Sequence, residues 1–139
     1  MVERTLSIIK PDAIERKLEG AIVSKLEENG FKIICQKKIS MTKKQAELFY
    51  REHSAKPFFA ELTEYMSCSP VVVQILEKED CVVQYRKLMG ATDPKMADKG
   101  TLRNEFGLDV THNSLHGSDN IESSWREIHF FFSDIEIYI

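Results

Sequence analysis

The first 30 residues change from a strand pattern to a helix pattern. Thr5–Ile9 is a short β-compatible run that ends at Lys10-Pro11, because proline restricts the residue before it and cannot donate to a sheet. Between residues 12 and 29 apolar side chains recur at helical spacing, and Gly30 stands where helices often end in a left-handed residue. The pattern predicts one strand followed by one helix, with any bend at Gly20.

The middle of the chain predicts two more strands and two more helices. Odd-numbered apolar residues alternate within residues 31–40, as in a strand with one buried face. Thr42 and Gln45 have the spacing of a capping box, which opens a helix. The predicted face of that helix consists of Ala46, Phe49, Tyr50 and His53. Pro57 begins another short helix, and the β-branched run over residues 71–76 predicts a central strand.

The last third predicts two helices around a long irregular segment. Asp80 is the predicted N-cap of a helix that ends at Gly90. Residues 91–112 show little periodicity, and irregular segments of this length are usually functional. A short edge strand is predicted at residues 113–116, and the spacing Asp119-x-x-Glu122 predicts the start of the last helix. The repeating face of that helix is Trp125, Ile128, His129 and Phe132.

These elements predict an α+β sandwich that forms a single domain over residues 1–139. Alternating strands and helices can also build a parallel sheet, but only three or four strands are available here. We therefore expect a mainly antiparallel sheet with helices on one face. The sequence contains no internal repeat or linker that would divide it.

The charge of the chain narrows the classes of partner. The sequence has 19 basic and 22 acidic side chains, for a formal net charge of -3. Proteins that bind nucleic acids or anionic membranes along a whole face carry an excess of basic residues, so any phosphate chemistry here requires a local basic cluster. The apolar runs are far shorter than the roughly 20 residues that span a bilayer. The 3 cysteines form no C-x-x-C pair. We expect a cytoplasmic protein with reduced thiols.

The segment from residue 113 to residue 119 carries the clearest candidate chemistry. An imidazole is nucleophilic near neutral pH, and one of its nitrogens can attack while an acceptor holds the other. His116 is therefore a candidate nucleophile. Gly117 allows close approach of a substrate or backbone, and the Asn113 amide can donate without adding charge. A histidine beside a glycine can also be purely structural, so the surrounding residues decide.

Three basic residues could supply the cluster that phosphate chemistry needs. Lys10 follows the first predicted strand, Arg86 lies on the helix before the irregular segment, and Arg103 lies within that segment. Together they would provide one point charge and two planar guanidinium groups, which suit a polyphosphate chain. Sequence spacing does not show whether they converge, and each alone could be a solvated surface charge.

Five motifs follow one another in a fixed order along the chain. They are Ile9-Lys10-Pro11-Asp12, Lys56-Pro57-Phe58-Phe59, Gly90-Ala91-Thr92-Asp93-Pro94, Gly100-Thr101-Leu102-Arg103 and Asn113-x-x-His116-Gly117-Ser118-Asp119. Together they closely resemble the nucleoside diphosphate kinases, over essentially the whole chain. The resemblance implies a ferredoxin-like α/β sandwich. It also implies ping-pong transfer of a γ-phosphoryl group from a nucleoside triphosphate, typically ATP, to a nucleoside diphosphate, a reaction that maintains nucleotide pools.

The resemblance also implies a role for individual residues. His116 would carry the phosphoryl group on Nδ1, Glu127 would accept a hydrogen bond from the other ring nitrogen, and Ser118 would support that glutamate. The other implied residues are Lys10, Arg103 and Asn113 at the reaction centre, Arg86 and Thr92 at the inner phosphates, and Tyr50 beside the histidine and lysine.

A base slot and the metal follow from the same resemblance. Phe58 would stack on the base, with Leu62 and Val110 lining the other side of a shallow slot. Stacking accepts every base, so broad nucleotide specificity is expected. From spacing alone, Phe58 and Leu62 could equally be the core face of a helix. No glycine-rich phosphate loop is present, and Mg²⁺ is expected to bridge the phosphates of the nucleotide rather than occupy a protein site.

Two departures from the family pattern concern assembly. Cys68-Ser69-Pro70 stands where relatives commonly have Ser-Gly-Pro, so an altered turn is expected before the central strand. The chain ends at Ile139, as in bacterial members that lack a longer tail. The resemblance implies a homo-oligomer, either a tetramer or a hexamer.

Two other functions compete with the kinase. A non-catalytic nucleotide-binding module would be favoured by loss of the catalytic residue types, but none is lost. A nucleic-acid binder that uses the sheet and a basic loop is opposed by the acidic balance. The remaining histidines are interpreted as structural, namely His53, His112 and His129. The aromatic run at residues 130–132 is interpreted as the core or interface end of the last helix.

Overall fold

The fold is built on one four-stranded sheet, in a computed structural model that describes residues 1–137. The strands are β1 (Val2–Ile9), β2 (Lys32–Ile39), β3 (Val71–Glu79) and β4 (Leu115–Gly117). Their order in the sheet is β2-β3-β1-β4, and every pairing is antiparallel. The predicted α+β class and the central position of β3 are confirmed.

Seven α-helices lie within the described part of the chain. They are α1 (Pro11–Glu15), α2 (Glu19–Glu28), α3 (Lys43–Phe49), α4 (Phe59–Ser67), α5 (Cys81–Met89), α6 (Leu102–Phe106) and α7 (Ile121–Phe131). The single helix predicted between residues 12 and 29 is wrong, because the chain breaks at Lys17, which has a φ of 61°. Gly20 is the second residue of α2.

Helices cover both faces of the sheet, so the expectation of one covered face is wrong. The two central strands are buried on both sides along most of their length, as expected of strands between two layers. One face packs against α3, α4 and α7, through a core that includes Leu6, Ile8, Phe49, Met66, Val73, Ile75 and Ile128. The other packs against α1, α2, α5 and α6, through Ile9, Ala13, Ile22, Leu26, Val72, Tyr85 and Leu102.

Strand β2 changes faces part-way along. Its pairing with β3 is irregular between Ile33 and Cys35, where one extra residue is inserted. As a result Phe31 and Ile33 pack against one core, whereas Ile34 and Cys35 pack against the other. The prediction that all odd-numbered residues share one buried face is therefore wrong beyond the bulge.

The helix starts agree only in part with the capping signals. The capping box at Thr42 and Gln45 forms, with hydrogen bonds of 3.1 and 2.9 Å. Asp80 precedes α5 but its side chain caps nothing, and its backbone is left-handed at a φ of 51°. Helix α7 is capped by the side chain of Asn120 rather than Asp119.

The predicted face of α7 is buried only towards its end. Ile128 and Phe132 are buried, as is Phe131, whereas Trp125 is 70% exposed. The segment 91–112 is less irregular than its sequence indicates, because it contains α6 and a 3₁₀ turn at Pro94–Met96. Across the described residues, no helix is long and apolar enough to cross a membrane.

The turn before β3 tolerates its departure from the family pattern. Helix α4 ends at Ser67, and Cys68 keeps a right-handed helical backbone with a φ of -79°. Neither Cys68 nor Ser69 has a positive φ. The turn therefore does not require glycine at this place.

Gly117 permits close packing of β4 on α5. A Cβ atom at this position would lie 2.5 Å from Met89 Cε and 2.8 Å from Tyr85 Cε2. Both side chains belong to the buried core. A larger residue at 117 would therefore push the strand that carries the candidate nucleophile away from its support.

We expect Gly117→Ala to lower the free energy of unfolding by about 1–3 kcal/mol, because the methyl group overpacks this contact. Gly20→Ala is the matched control, since Gly20 has nothing within 4 Å and lies in a helix. The control is expected to raise stability by up to about 1 kcal/mol. Urea unfolding of both variants measures this, and equal stability of Gly117→Ala and the wild type would contradict the packing.

Candidate active site

A histidine on the edge strand is held by two residues at the C-terminal side of the chain. His116 pairs with Ile8 of β1, and its Nε2 lies 2.8 Å from Oε1 of Glu127 on α7. Ser118 Oγ donates to the same oxygen at 2.9 Å. An ionised carboxylate only accepts hydrogen bonds, so Nε2 carries the proton and Nδ1 keeps its lone pair.

Glu127 is buried yet stays charged. Burial alone would raise the pKa of its carboxyl, but the hydrogen bonds from His116 and Ser118 outweigh burial and lower that pKa overall. Arg126 lies 3.8 Å from the second carboxylate oxygen and adds positive charge. Glu127 is therefore an anion that fixes the orientation of the imidazole.

Two aromatic rings pack edge-on against the imidazole. The ring centroid of Phe49 lies 5.3 Å from that of His116, and the centroid of Tyr50 lies 6.0 Å from it. The side chain of His116 remains 19% exposed, so the ring still reaches solvent. The Tyr50 hydroxyl is buried without a partner among the described residues. Burial raises its pKa well above the usual range, so the phenol stays neutral and can donate.

Lys10 lies buried beside Asn113, at the end of β1. Its ammonium donates to Asn113 Oδ1 at 3.0 Å and to the Thr111 carbonyl at 3.4 Å. Burial, reinforced by the charge of Arg103, lowers the pKa of Lys10 to about 8. Among residues 1–137 no carboxylate forms a hydrogen bond with the Lys10 ammonium, so this buried positive charge is available to bind an anion.

The three predicted basic residues converge. Arg103 on α6 is buried, and its charge and that of Lys10 disfavour one another, as do its charge and that of Arg86. Arg103 donates to the carbonyls of Gly90 at 3.1 Å and Leu115 at 2.9 Å, while its buried Nε has no hydrogen-bond partner within residues 1–137. Arg86 on α5 is more exposed and is paired with Asp119 at 2.9 Å.

The residues predicted to form the base slot lie on two segments, α4 with its N-cap residue and the segment before Asn113. Phe58, at the start of α4, is 45% exposed, and Val110 is 56% exposed. Leu62 is partly buried against the core. The Asn113 amide donates to the carbonyls of Thr92 and Val110, at 3.0 Å each, and so ties these segments together.

A separate cavity of about 800 Å³ lies elsewhere, between the start of β1 and the outer side of α7. It is lined by Arg4, Ile75, Trp125 and Ile128 among others. None of the residues with a predicted catalytic or substrate-binding role lines this cavity. Cavity size alone would therefore not identify the candidate active site.

Comparison with known proteins matches this arrangement to a single family. The family model described as nucleoside diphosphate kinase matches residues 3–137. The chain belongs to the nucleoside diphosphate kinase family. A nucleoside diphosphate kinase of Wolbachia pipientis from Culex pipiens is 54% identical over 98% of both chains. The enzyme of Paracoccus denitrificans is 55% identical, over 98% of this chain and 97% of that one.

Solved nucleoside diphosphate kinases have the same fold. The Aquifex aeolicus enzyme superposes with a TM-score of 0.96 at 43% identity, over 99% of both chains. The Halobacterium salinarum enzyme, in complex with CDP, has a TM-score of 0.96 at 40% identity, over all of this chain and 93% of that one. The predicted family, the ferredoxin-like fold and the phosphotransferase class are confirmed.

Sequence reasoning missed the packing around the nucleoside diphosphate kinase site. Helical spacing predicts Phe49 only as part of a helix face, whereas in the structure its ring contacts His116. No sequence pattern predicts the contact of Arg126 with Glu127 or the hydrogen bond between Asp12 and Tyr65. These contacts join segments far apart in the chain, so periodicity does not reveal them. The described residues contain no group of three metal-ligating side chains.

The pKa of Glu127 gives a test of its hydrogen bonds. Because the folded-state pKa is lowered, the charged carboxylate stabilises the fold above its usual pKa of 4.5, and this stabilisation disappears as the pH falls through the folded value. We expect the wild type to lose stability more steeply than Glu127→Gln below pH 4.5. Urea unfolding over a pH series measures the difference. Glu122→Gln on the same helix should behave like the wild type, and parallel curves for wild type and Glu127→Gln would contradict the assignment.

Proposed function

We propose that the chain transfers the γ-phosphoryl group of a nucleoside triphosphate to a nucleoside diphosphate through a phosphohistidine at His116 Nδ1. The observation that carries this proposal is the hydrogen bond of 2.8 Å between His116 Nε2 and Glu127. It assigns the proton to Nε2 and leaves Nδ1 as the nucleophile. Among the described residues, Nδ1 makes no hydrogen bond that would compete for its lone pair.

The two half-reactions mirror each other. The Nδ1 lone pair attacks the γ-phosphorus, an N–P bond forms, and the bond from phosphorus to the β-bridging oxygen breaks, releasing a nucleoside diphosphate. The proton stays on Nε2, so the ring becomes cationic and Glu127 stabilises that charge. The terminal oxygen of a second nucleoside diphosphate then attacks the phosphorus of the phosphohistidine, and an O–P bond forms. The N–P bond breaks, its electron pair returns to Nδ1, and a nucleoside triphosphate leaves. Positioning and charge compensation supply the catalysis.

Lys10, Asn113 and Tyr50 act at the transferred group in this proposal. The Lys10 ammonium and the Asn113 amide are hydrogen-bonded at 3.0 Å, so they reach the same oxygens. Their buried setting strengthens an interaction with phosphate, because little water competes. The unpartnered Tyr50 hydroxyl supplies a further donor beside the imidazole.

Arg103 also binds at the reaction centre, and Arg86 and Thr92 bind the inner phosphates. The buried, unpartnered Nε of Arg103 supports its contact with phosphate. Arg86 has to exchange Asp119 for a phosphate oxygen, a small cost because both side chains are exposed. The Thr92 backbone is fixed by Asn113, which links the inner-phosphate region to the reaction centre.

The nucleoside lies in the slot formed by Phe58, Leu62 and Val110. The exposed ring of Phe58 and the exposed Val110 can contact a base without losing core packing. Such contacts use the π-face that all bases share, so broad nucleotide specificity is part of the proposal. Mg²⁺ enters as part of the nucleotide substrate, bridging its phosphates, since the site offers cations rather than a carboxylate cage.

The biological setting completes the proposal. We infer one catalytic domain over residues 1–139 that assembles as a homo-oligomer, a tetramer or a hexamer, in the cytoplasm. The free thiols Cys68 and Cys81 favour a reducing compartment. The reaction needs neither a membrane nor a nucleic acid.

The phosphoenzyme is directly testable. Incubation with γ-³²P-labelled ATP is expected to give an acid-labile label on the protein, which any nucleoside diphosphate removes as the labelled triphosphate. His116→Ala should take up no label, whereas His129→Ala, remote from the site, should label like the wild type. Labelling of His116→Ala, or a label on the wild type that no nucleoside diphosphate removes, would sink the proposal.

The lowered pKa of Lys10 gives a pH profile. Above pH 8 the ammonium loses its proton and its attraction for phosphate, so kcat/KM for the triphosphate should halve at about pH 8 and keep falling at higher pH. Lys10→Arg keeps the charge at every pH tested and should lose this fall, although its overall rate is lower. Steady-state rates between pH 6.5 and about pH 9.5 measure it. The same fall in both proteins would rule out Lys10 as its source.

A further inference from the structure

A small loop precedes Asn113, and its backbone closes on itself. The His112 carbonyl accepts from the N–H groups of Leu108 at 2.7 Å and Asp109 at 3.3 Å. The Asp109 carboxylate accepts from the N–H groups of Thr111 at 2.9 Å and His112 at 2.8 Å. These hydrogen bonds hold residues 108–112 together as one compact unit, called the 108–112 loop below.

The His112 side chain attaches this loop to helix α4. Its Nδ1 lies 2.9 and 3.0 Å from the two oxygens of Asp109. The hydrogen bond from the His112 backbone N–H, and after it the one from the ring, lower the pKa of the Asp109 carboxyl. The ring packs edge-on against Tyr65, with 4.5 Å between the ring centroids. His112 therefore joins the loop, through Asp109, to an aromatic ring on another element.

Tyr65 is itself held firmly. Its hydroxyl accepts from the Asp12 N–H at 2.7 Å and donates to the Asp12 carboxylate. Asp12 also accepts from Ser114 Oγ at 3.3 Å. Tyr65 follows Leu62 by three residues on α4, so the two side chains lie on one side of the helix. The His112 ring thus rests on the same helix that forms one wall of the base slot.

The opposite wall belongs to the loop. Val110 lies at its tip and is 56% exposed, so little core packing fixes its side chain. The Val110 carbonyl accepts from Asn113 at 3.0 Å, but this bond fixes the backbone at one point only. The packing of His112 on Tyr65 is a side-chain contact between this loop and α4, the helix that carries Leu62.

We propose that His112 is a positioning residue that fixes the 108–112 loop against Tyr65 and thereby sets the separation between the Val110 wall and the Leu62 wall of the base slot. The inference rests on the proposed function, because it takes these residues as the slot. It assigns a role to a histidine that the catalytic chemistry does not use.

The effect of losing His112 should fall on binding rather than on chemistry. Lys10 and Asn113 each donate once to the loop, to the Thr111 and Val110 carbonyls. They also keep contacts that do not run through it, namely their mutual bond at 3.0 Å and the bond from Asn113 to Thr92 at 3.0 Å. The groups around His116 are therefore retained when the loop loosens. Val110 has no such second anchor, so contact with the base is what weakens.

His112→Ala is expected to raise KM for nucleoside diphosphate and triphosphate about threefold to tenfold, the range of one lost aromatic contact, with kcat within about twofold of the wild type. His112→Phe keeps the ring contact with Tyr65 and should recover most of the KM. His129→Ala is the matched control, because His129 also packs on an aromatic ring, Trp125 at 4.2 Å, and pairs with a carboxylate, Asp134 at 3.5 Å. Its KM should equal that of the wild type.

A double-mutant cycle tests the contact itself. Tyr65→Leu removes the partner ring while keeping an apolar side chain, and should raise KM by a similar factor. If the two rings act together, His112→Ala combined with Tyr65→Leu raises KM no more than either change alone. Factors that multiply in the double variant would show that His112 does not act through Tyr65 and would overturn the inference.

The remaining outcomes separate the two proposals. An unchanged KM in His112→Ala, or a fall in kcat as large as the fall in kcat/KM, overturns the positioning role. Label uptake from γ-³²P-labelled ATP at saturating concentration does not depend on the slot width. If His112→Ala takes up label fully, the phosphohistidine proposal stands whatever its KM. If the wild type takes up none, the proposed function fails first.

Discussion

The hydrogen bond between His116 Nε2 and the Glu127 carboxylate is the contact on which the proposed function depends. It joins the short edge strand β4 to helix α7, and it decides which ring nitrogen is free. The fold maintains this distance from both sides. Ser124 on α7 donates to the Arg4 carbonyl of β1 at 2.6 Å, while β1 pairs with β4 through Ile8 and His116. Strand β4 and helix α7 are thus both hydrogen-bonded to β1, which holds the imidazole and the carboxylate close together.

The cations near this contact are held in an unfavourable arrangement. Lys10 and Arg103 are both buried, the charge of Arg103 disfavours that of Lys10, and among the described residues neither donates a hydrogen bond to a carboxylate. A bound polyphosphate relieves that unfavourable arrangement, because it supplies the missing negative charge. The same physics explains why an acidic chain can bind phosphates. The chain as a whole has a net charge of -3. Its basic residues Lys10, Arg86 and Arg103 nevertheless lie close enough to affect one another's charge.

The sequence predicts the elements well and their contacts poorly. The unbroken apolar run of β3 and the capping box at Thr42 are local signals, and both correspond to what forms. The local sequence pattern does not predict the bulge in β2 or the left-handed backbone conformation of Asp80, which depend on how the folded chain packs. In the site, imidazole chemistry singles out His116, and the family motifs point to its partners. The convergence of the cations and the contact of His112 with Tyr65 join distant segments, which only the folded chain brings together.

The central claim concerns the position of one proton, and nitrogen NMR measures it most directly. The sequence has 4 histidines, so ¹⁵N labelling of the rings gives few signals, and a His116→Asn variant assigns the relevant pair. Two-bond correlations at neutral pH distinguish a protonated ring nitrogen from one with a lone pair. The account predicts that the neutral His116 ring carries its proton on Nε2 and has a free Nδ1. A proton on Nδ1 in the resting protein would contradict it, because the nitrogen assigned to the attack would then lack its lone pair.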